Sequence, residues 1–471
     1  MKKIIVISAF LCVIIGLPAR AQSWTDNFRL NAWGRGVVSP IAFSGGDSSV
    51  SAATTTSGNY PQVGFSVAGT APGKKIGFLV DAYWDGGIPG VGDNAKVWVQ
   101  PFGFIKLTAG RFIEDDLRGS VGNTEFASWL LPAGGKDEDA IFTRFQAKLG
   151  AHVKLEPLYW LDSPWKGLMI EGAFGSSVAP AGSNNGDTRA NRNIIGLDAA
   201  DIYKGMQIGL GYKISNIGLV RFQFIGNNRT RLEPDYTNNG YPRGQSVFDG
   251  LSKNSDADVI EAAFRFSGIE GLNADAGVKI PFEYKTDTQF IEYPALPPNG
   301  EKETADLDER TVKRPVVIAM GISWTPSFLE SLNVVVLFDV SFGGRIEETG
   351  HHLLKFGANA GTWIMPSYKI TENLKAGVDF GMYIHKKDEW QQPIGRPRTD
   401  ILSDSNYTDI GIGIWVELAL GGGRIRTGPM IMLPGTERYM WVEGNSLGYE
   451  FRPAFTREPV ISLPISFTYN F

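Results

Sequence analysis

The sixteen residues from Ile141 to Glu156, IFTRFQAKLGAHVKLE, decide how the rest of the chain is read. Ile141, Thr143, Phe145, Ala147, Leu149, Ala151, Val153 and Leu155 share one parity. Phe142, Arg144, Gln146, Lys148, Gly150, His152, Lys154 and Glu156 share the other. Successive side chains of a strand point to opposite faces, so this period of two predicts one long strand with an apolar and a polar face. The same alternation returns in Leu272 to Tyr284, in Leu374 to Ile384 and in Ile410 to Leu420.

Working outward from these segments gives eighteen strands. They start near Phe28, Gln62, Ile76, Ala95, Phe104, Ile141, Gly167, Lys204, Ile217, Ala257, Leu272, Pro315, Leu332, Leu353, Asn373, Thr408, Arg424 and Pro459. Sixteen is the alternative if boundaries are misplaced. The connections alternate in character. Ala71 to Lys75, Pro101 to Gly103, Ser215-Asn216, Gly268 to Gly271 and Gly421 to Gly423 are short, whereas Ser44 to Pro61, Ile113 to Asp139, Ser176 to Tyr203 and Asn228 to Asp256 are long and polar. Short turns at one rim and long loops at the other predict an all-β, antiparallel, up-and-down transmembrane barrel. A soluble sandwich also alternates faces, but so many long strands with one consistently long-looped rim would be unusual there.

The first residues supply an independent argument. Lys2 and Lys3 precede an apolar run from Ile4 to Leu17 and then Pro18-Ala19-Arg20-Ala21. That order predicts a secretory signal peptide over 1–21 with the barrel over 22–471. No later apolar run approaches the ~20 residues a spanning helix needs. The only cysteine, Cys12, lies in the leader, which excludes a disulfide framework, Cys-based metal sites and a cysteine nucleophile in the mature chain. Without Lys2, Lys3 and Arg20 the chain carries 42 basic against 50 acidic residues, a formal charge of −8 that argues against a nucleic-acid partner. The 57 Gly, 12 Trp, 15 Tyr and 28 Phe suit turns and strands rather than helices.

The chain closes with Ile465-Ser466-Phe467-Thr468-Tyr469-Asn470-Phe471, in which Phe467, Tyr469 and Phe471 alternate. This stretch resembles the C-terminal signal by which the outer-membrane barrel-assembly machinery recognises its substrates. The architecture from Phe28 to Phe471 resembles that of outer-membrane porins as a class. Thr108-Ala109-Gly110-Arg111-Phe112, followed by Asp116-Leu117-Arg118-Gly119, is also loosely similar to a stretch of uncharacterised spirochaete-type barrel proteins. The resemblance implies an exported protein of the cell outer membrane, with membrane lipid and small hydrophilic solutes as partners. No PEFGG signature marks the third long loop, so the trimeric arrangement of the general porins is not implied and a homo-oligomer stays an open alternative.

The polar parity carries the chemistry. Arg29, Arg35, Arg144, Lys148, Lys154, Arg221, Arg265, Lys279, Lys355 and Lys375 fall on it and are expected to line the pore. A Lys or Arg facing lipid at mid-membrane costs about 2 to 4 kcal/mol, so such groups point inward, into water. Acidic residues on that parity are fewer, which leans the expected pore toward anions. In porins the third long loop often folds inward, and Glu114, Asp115 and Asp116 open the corresponding segment here, so they are expected to form a constriction. Trp33, Trp98, Trp363, Tyr383 and Trp415 offer stacking surfaces for a rival sugar channel, and a non-conducting adhesin or structural barrel is a second rival. The four histidines, His152, His351, His352 and His385, accompany no HExxH, GxSxG or P-loop pattern. Neither an enzyme, a metal site nor a cofactor is expected.

Overall fold

The computed structural model describes residues 28–38, 42–44, 47–49, 62–71, 73–85, 88–114, 143, 145–161, 164–176, 206–226, 258–288, 308–348, 351–355, 357–387, 389–390, 406–433, 435, 438–443, 449–455 and 459–470. Eighteen strands form one antiparallel ring. They are β1 (Phe28–Val38), β2 (Gln62–Thr70), β3 (Ile76–Asp85), β4 (Ile88–Phe102), β5 (Ile105–Glu114), β6 (Phe145–Leu155), β7 (Leu168–Ser176), β8 (Met206–Ile214) and β9 (Gly218–Gly226). They continue as β10 (Val259–Ile269), β11 (Leu272–Pro281), β12 (Val316–Trp324), β13 (Leu332–Phe342), β14 (Asn359–Lys369), β15 (Leu374–His385), β16 (Tyr407–Leu420), β17 (Gly423–Thr427, continued by Met430–Leu433) and β18 (Ile465–Asn470, preceded by Val460–Ser462).

Each strand pairs with its neighbour in sequence, and β18 returns to β1, with Gly36 opposite Phe467 and Gly34 opposite Tyr469. Closure satisfies the backbone of every wall strand on both sides, which a sheet in hydrocarbon requires. The turns at one rim are short. Ser215 to Ile217 is one of them, and Asn216 there takes φ 59°, a left-handed conformation that asparagine tolerates. At the other rim, five further strands, Tyr284–Thr288, Asp308–Lys313, Arg345–Glu348, His351–Lys355 and Glu389–Trp390, form a separate five-stranded sheet. They extend β11 to β15 beyond Pro281, Pro315 and Gly343-Gly344, where proline removes a ladder donor and glycine relaxes the backbone.

The ring sorts residues by parity. Ile208, Leu210, Phe222, Ile318, Met320, Ile412, Ile414 and Val416 are exposed on the outside, while the residues between them are buried or face the lumen. A continuous apolar outer face around a closed ring is the surface a transmembrane barrel offers to lipid. Trp84 at the long-loop end and Trp324 and Tyr469 at the short-turn end are exposed on that face, as interfacial aromatics are. Phe467 also lies there. Phe471 and residues 1–21 lie outside the described residues.

One strand breaks its own period. Between β5 and β6, Gly110 is opposite Gly150, but Phe112 is opposite Ala147, so β6 holds one extra residue. The bulge exchanges the two faces of β6. His152 and Lys154 face inward below it, and Phe145 and Ala147 face inward above it, where Phe145 is 0% exposed against Phe112. Uniform alternation had placed Phe145 on the lipid face. Gly110 holds φ 115°, and a Cβ there would stand 2.3 Å from the Ala95 carbonyl oxygen, so no other residue fits this position.

Candidate functional site

The lumen wall is the candidate site, because it is where the chain spends its charged residues. Eight strands place Lys or Arg at, or one step above, the inward position nearest the short-turn rim. Lys106, Lys154, Arg265 and Lys375 are half-buried there, whereas Arg29, Lys213, Lys369 and Arg424 are exposed. Directly opposite Lys154, Arg265 and Lys375 stand the carboxylates Glu171, Asp275 and Glu417, each held by a guanidinium.

Three of these clusters fix the wall. In the first, Arg221 Nη2 stands 2.9 Å from one Glu171 oxygen, and His152 Nε2 stands 3.3 Å from the other. All three are 1 to 2% exposed. Phe145 packs on His152 at 5.1 Å between ring centroids and lies 6.0 Å from the Arg221 guanidinium carbon. A buried carboxylate needs a charge partner, and register provides one by bringing β6, β7, β8 and β9 together. Gln223 donates to Gln207 at 3.2 Å one layer higher. Farther round, Arg265 donates to Asp275 at 2.9 Å, and Lys279 stands 3.9 Å from Glu261.

The second cluster corrects an expectation. Glu114 is the last residue of β5 rather than part of a loop, and it is buried. Its two oxygens stand 3.0 Å from Lys96 Nζ and 2.8 Å from Lys106 Nζ. The strand runs longer than the hydrophobic pattern indicates because these two lysines neutralise its end. Asp115 and Asp116 lie outside the described residues.

The third lies near the ring closure. Trp415 Nε1 donates to Asp379 at 2.9 Å, Arg426 covers the Trp415 ring at 4.1 Å, and Lys375 Nζ is 5.8 Å from it. The ring also lies on Gly377, where an added Cβ would stand 2.3 Å from it. Trp363, Tyr383 and Trp415 join Met365, Tyr407 and Met430 in a buried cluster. Three of the five aromatics that suggested sugar stacking therefore have their faces already occupied. Trp33 and Trp98 remain partly exposed.

Of the ten cations expected to line the pore, Arg29, Lys154, Arg221, Arg265, Lys279 and Lys375 lie on the inward parity. Lys355 does not: it is exposed in the separate five-stranded sheet, because residues 351–355 form a strand of their own. Arg144 lies outside the described residues, as do the side chains of Arg35 and Lys148. Lys369, Arg424 and Arg426 were missed as pore cations. Their parity was readable, but a residue beside a turn carries little periodic context.

His385 hydrogen-bonds Asn359 and stacks on Tyr407 at 4.8 Å between centroids. Among the described residues, no group of three or more His, Cys, Asp or Glu residues could hold a metal ion. No helix of the described residues is long and apolar enough to cross a membrane, which says nothing about strands.

The closed eighteen-strand ring, its apolar outside and its charged inside define an outer-membrane β-barrel. No protein-family model and no curated protein matches the chain. Solved structures that resemble it include the outer membrane channel DcaP of Acinetobacter baumannii, at 10% identity over 94% of this chain and 97% of that one, with a TM-score of 0.45. The anion-selective porin from Comamonas acidovorans aligns at 10% identity over 94% of this chain and 99% of that one, with a TM-score of 0.44. OmpF from Salmonella typhi aligns at 10% identity over 95% and 99%, with a TM-score of 0.41. The likeness is one of fold.

Proposed function

We propose that the chain is exported, inserted by the barrel-assembly machinery into the outer membrane, and serves there as a passive pore for small hydrophilic solutes, with a preference for anions. The observation that carries this reading is the inward face of the ring. Barrels of this strand number enclose an aqueous lumen, and a wall bearing exposed Arg29, Lys213, Lys369 and Arg424 needs water in front of it. Fixed positive charge around a mouth biases permeation by sign. Arg221, Arg265 and Arg426 are paired with carboxylates, so the bias is assigned to the exposed rim cations Arg29, Lys213 and Lys369.

Planar-bilayer recording tests the proposal. Steady conductance is expected, with a reversal potential under a salt gradient shifted toward the anion value and the shift largest at low ionic strength, where screening is weak. A folded protein that carries no current would favour the adhesin or structural reading. Current blocked by sugars would favour the sugar channel.

A further inference from the structure

The apolar outer face of the ring has one exception. Among the described side chains of the wall strands, Arg111 is the only charged one on the outward parity. It lies opposite Ala95 on β4, in the ladder that sets Val97, 58% exposed on the outer face, opposite Ala109. The next residue, Phe112, is buried on the lumen side against Phe145, so alternation turns Arg111 outward. Toward β6 the register steps from Gly110 opposite Gly150 to Phe112 opposite Ala147, which leaves Arg111 without an opposite residue beside the bulge. Among the described residues, no hydrogen bond or ion pair holds its guanidinium.

Depth and surroundings say what can neutralise it. Arg111 is six positions from Ile105 at the short-turn end of β5. At ~3.4 Å per residue and a tilt of ~40°, that is about 16 Å along the barrel axis. An apolar band about 25 Å tall then leaves about 9 Å to the interface on the long-loop side, a distance that a snorkelling arginine largely spans. A second copy packed wall against wall has no carboxylate to offer from the described outward side chains of its wall strands. A lipid phosphate has the missing charge, and its oxygens match the planar fork of the guanidinium. The relief beside Arg111 also fits a lipid. One row across β4, β5, β6 and β7 reads Val97, Ala109, Ala151 and Phe174, so two methyl side chains form a shallow trough between two larger exposed ones.

We propose that Arg111 binds the phosphate of a phospholipid in the leaflet on the long-loop side, with an acyl chain lying in the trough over Ala109 and Ala151. The ligand is a lipid rather than a soluble anion, because the guanidinium belongs to the face that meets hydrocarbon. The site rests on the membrane placement in the functional reading above but not on conduction, and its test reads binding.

The test is native mass spectrometry of the full folded barrel in an uncharged detergent, titrated with dioleoyl phosphatidic acid or with dioleoylglycerol, which has the same chains and no phosphate. The parent is expected to retain phosphatidic acid about tenfold more tightly, Arg111→Gln to lose that preference and Arg111→Lys to keep part of it. Lys74→Gln/Lys75→Gln, which removes two cations from a short turn, and Asp93→Asn, which removes the carboxylate two positions before Ala95, are expected to keep the parent preference. Retained heat-modifiable mobility on gels confirms that each variant is folded. An unchanged preference in Arg111→Gln, or an equal loss in the turn variant, overturns the site. So does a preference that appears only in Asp93→Asn, since the wall itself would then neutralise Arg111. A parent that binds no phosphatidic acid but forms an oligomer dissociated by Arg111→Gln overturns it as well. The expected pattern in a preparation that carries no current leaves the site standing and removes the pore reading.

Discussion

Arg221 illustrates how much a single side chain carries. It is 1% exposed, and its guanidinium holds Glu171, which is equally sequestered beside His152. Removing one member of such a pair strands a buried charge. Arg221→Ala is therefore expected to destabilise the barrel by about 3 to 5 kcal/mol, whereas Arg221→Met combined with Glu171→Leu should come within about 1 kcal/mol of the parent. Urea titrations of the barrel refolded in lipid vesicles measure both, and an additive double variant would show that the two charges do not depend on each other. The sequence showed that Arg221 faces inward. It did not show the partner, because Glu171 and Arg221 are separated by a long loop, and only the register of β7, β8 and β9 brings them together. For the same reason Trp415 read as an exposed stacking surface, although Arg426 covers it.

At the scale of the strand, alternation was legible wherever the pairing is regular. The starts of β1, β2, β3, β11, β13 and β15 fall within a residue of the positions the pattern indicates. It failed at irregularities. The strand expected from Leu353 is divided into the rim strand His351–Lys355 and β14, which starts at Asn359. The bulge in β6 left no mark on the pattern, because an apolar run crosses to the lumen side when its new neighbours, Phe112 and Ala173, are also apolar. Cysteine substitution tests the crossing. Ala147→Cys and Ala151→Cys share a parity, yet the bulge places 147 inside and 151 outside. Nitroxide labels attached to these cysteines before refolding should be relaxed by lipid-dissolved oxygen rapidly at 151 and slowly at 147. Equal rates at the two sites would mean that the strand is continuous.

For the whole molecule, the decisive property is that polarity is inverted relative to a soluble protein, with the apolar face outside. The cost of violating it should depend on depth. Ile414, midway along β16, is 58% exposed on the outer face, and Leu420 is exposed at the short-turn end of the same strand. Ile414→Lys is expected to destabilise by about 2 to 4 kcal/mol and Leu420→Lys by no more than about 1 kcal/mol, since the penalty falls toward the interface. Unfolding in lipid vesicles distinguishes the two, and equal costs would mean that no hydrocarbon surrounds the ring. Strand number and rim asymmetry were legible in the sequence, because turn residues recur at fixed places. The five-stranded sheet that extends part of one rim was not, since Asp308–Lys313 and Glu389–Trp390 lie within stretches that read as loops and His351–Lys355 read as the start of a wall strand.

The pairing of β1 with β18 has one more consequence. Trp33 lies opposite Asn470, so two stretches more than four hundred positions apart along the chain are next-door neighbours in space. The wall has a cyclic order without a privileged first strand. Joining the two ends by a short linker at the short-turn rim and cutting the chain within a long loop would leave the ladder of every wall strand intact. Such a rearranged gene should still specify the same cylinder. On the proposed assembly route, what it would lose is a particular last strand to present to the insertion machinery, so the rearrangement would separate the information that shapes the cylinder from the information that delivers it.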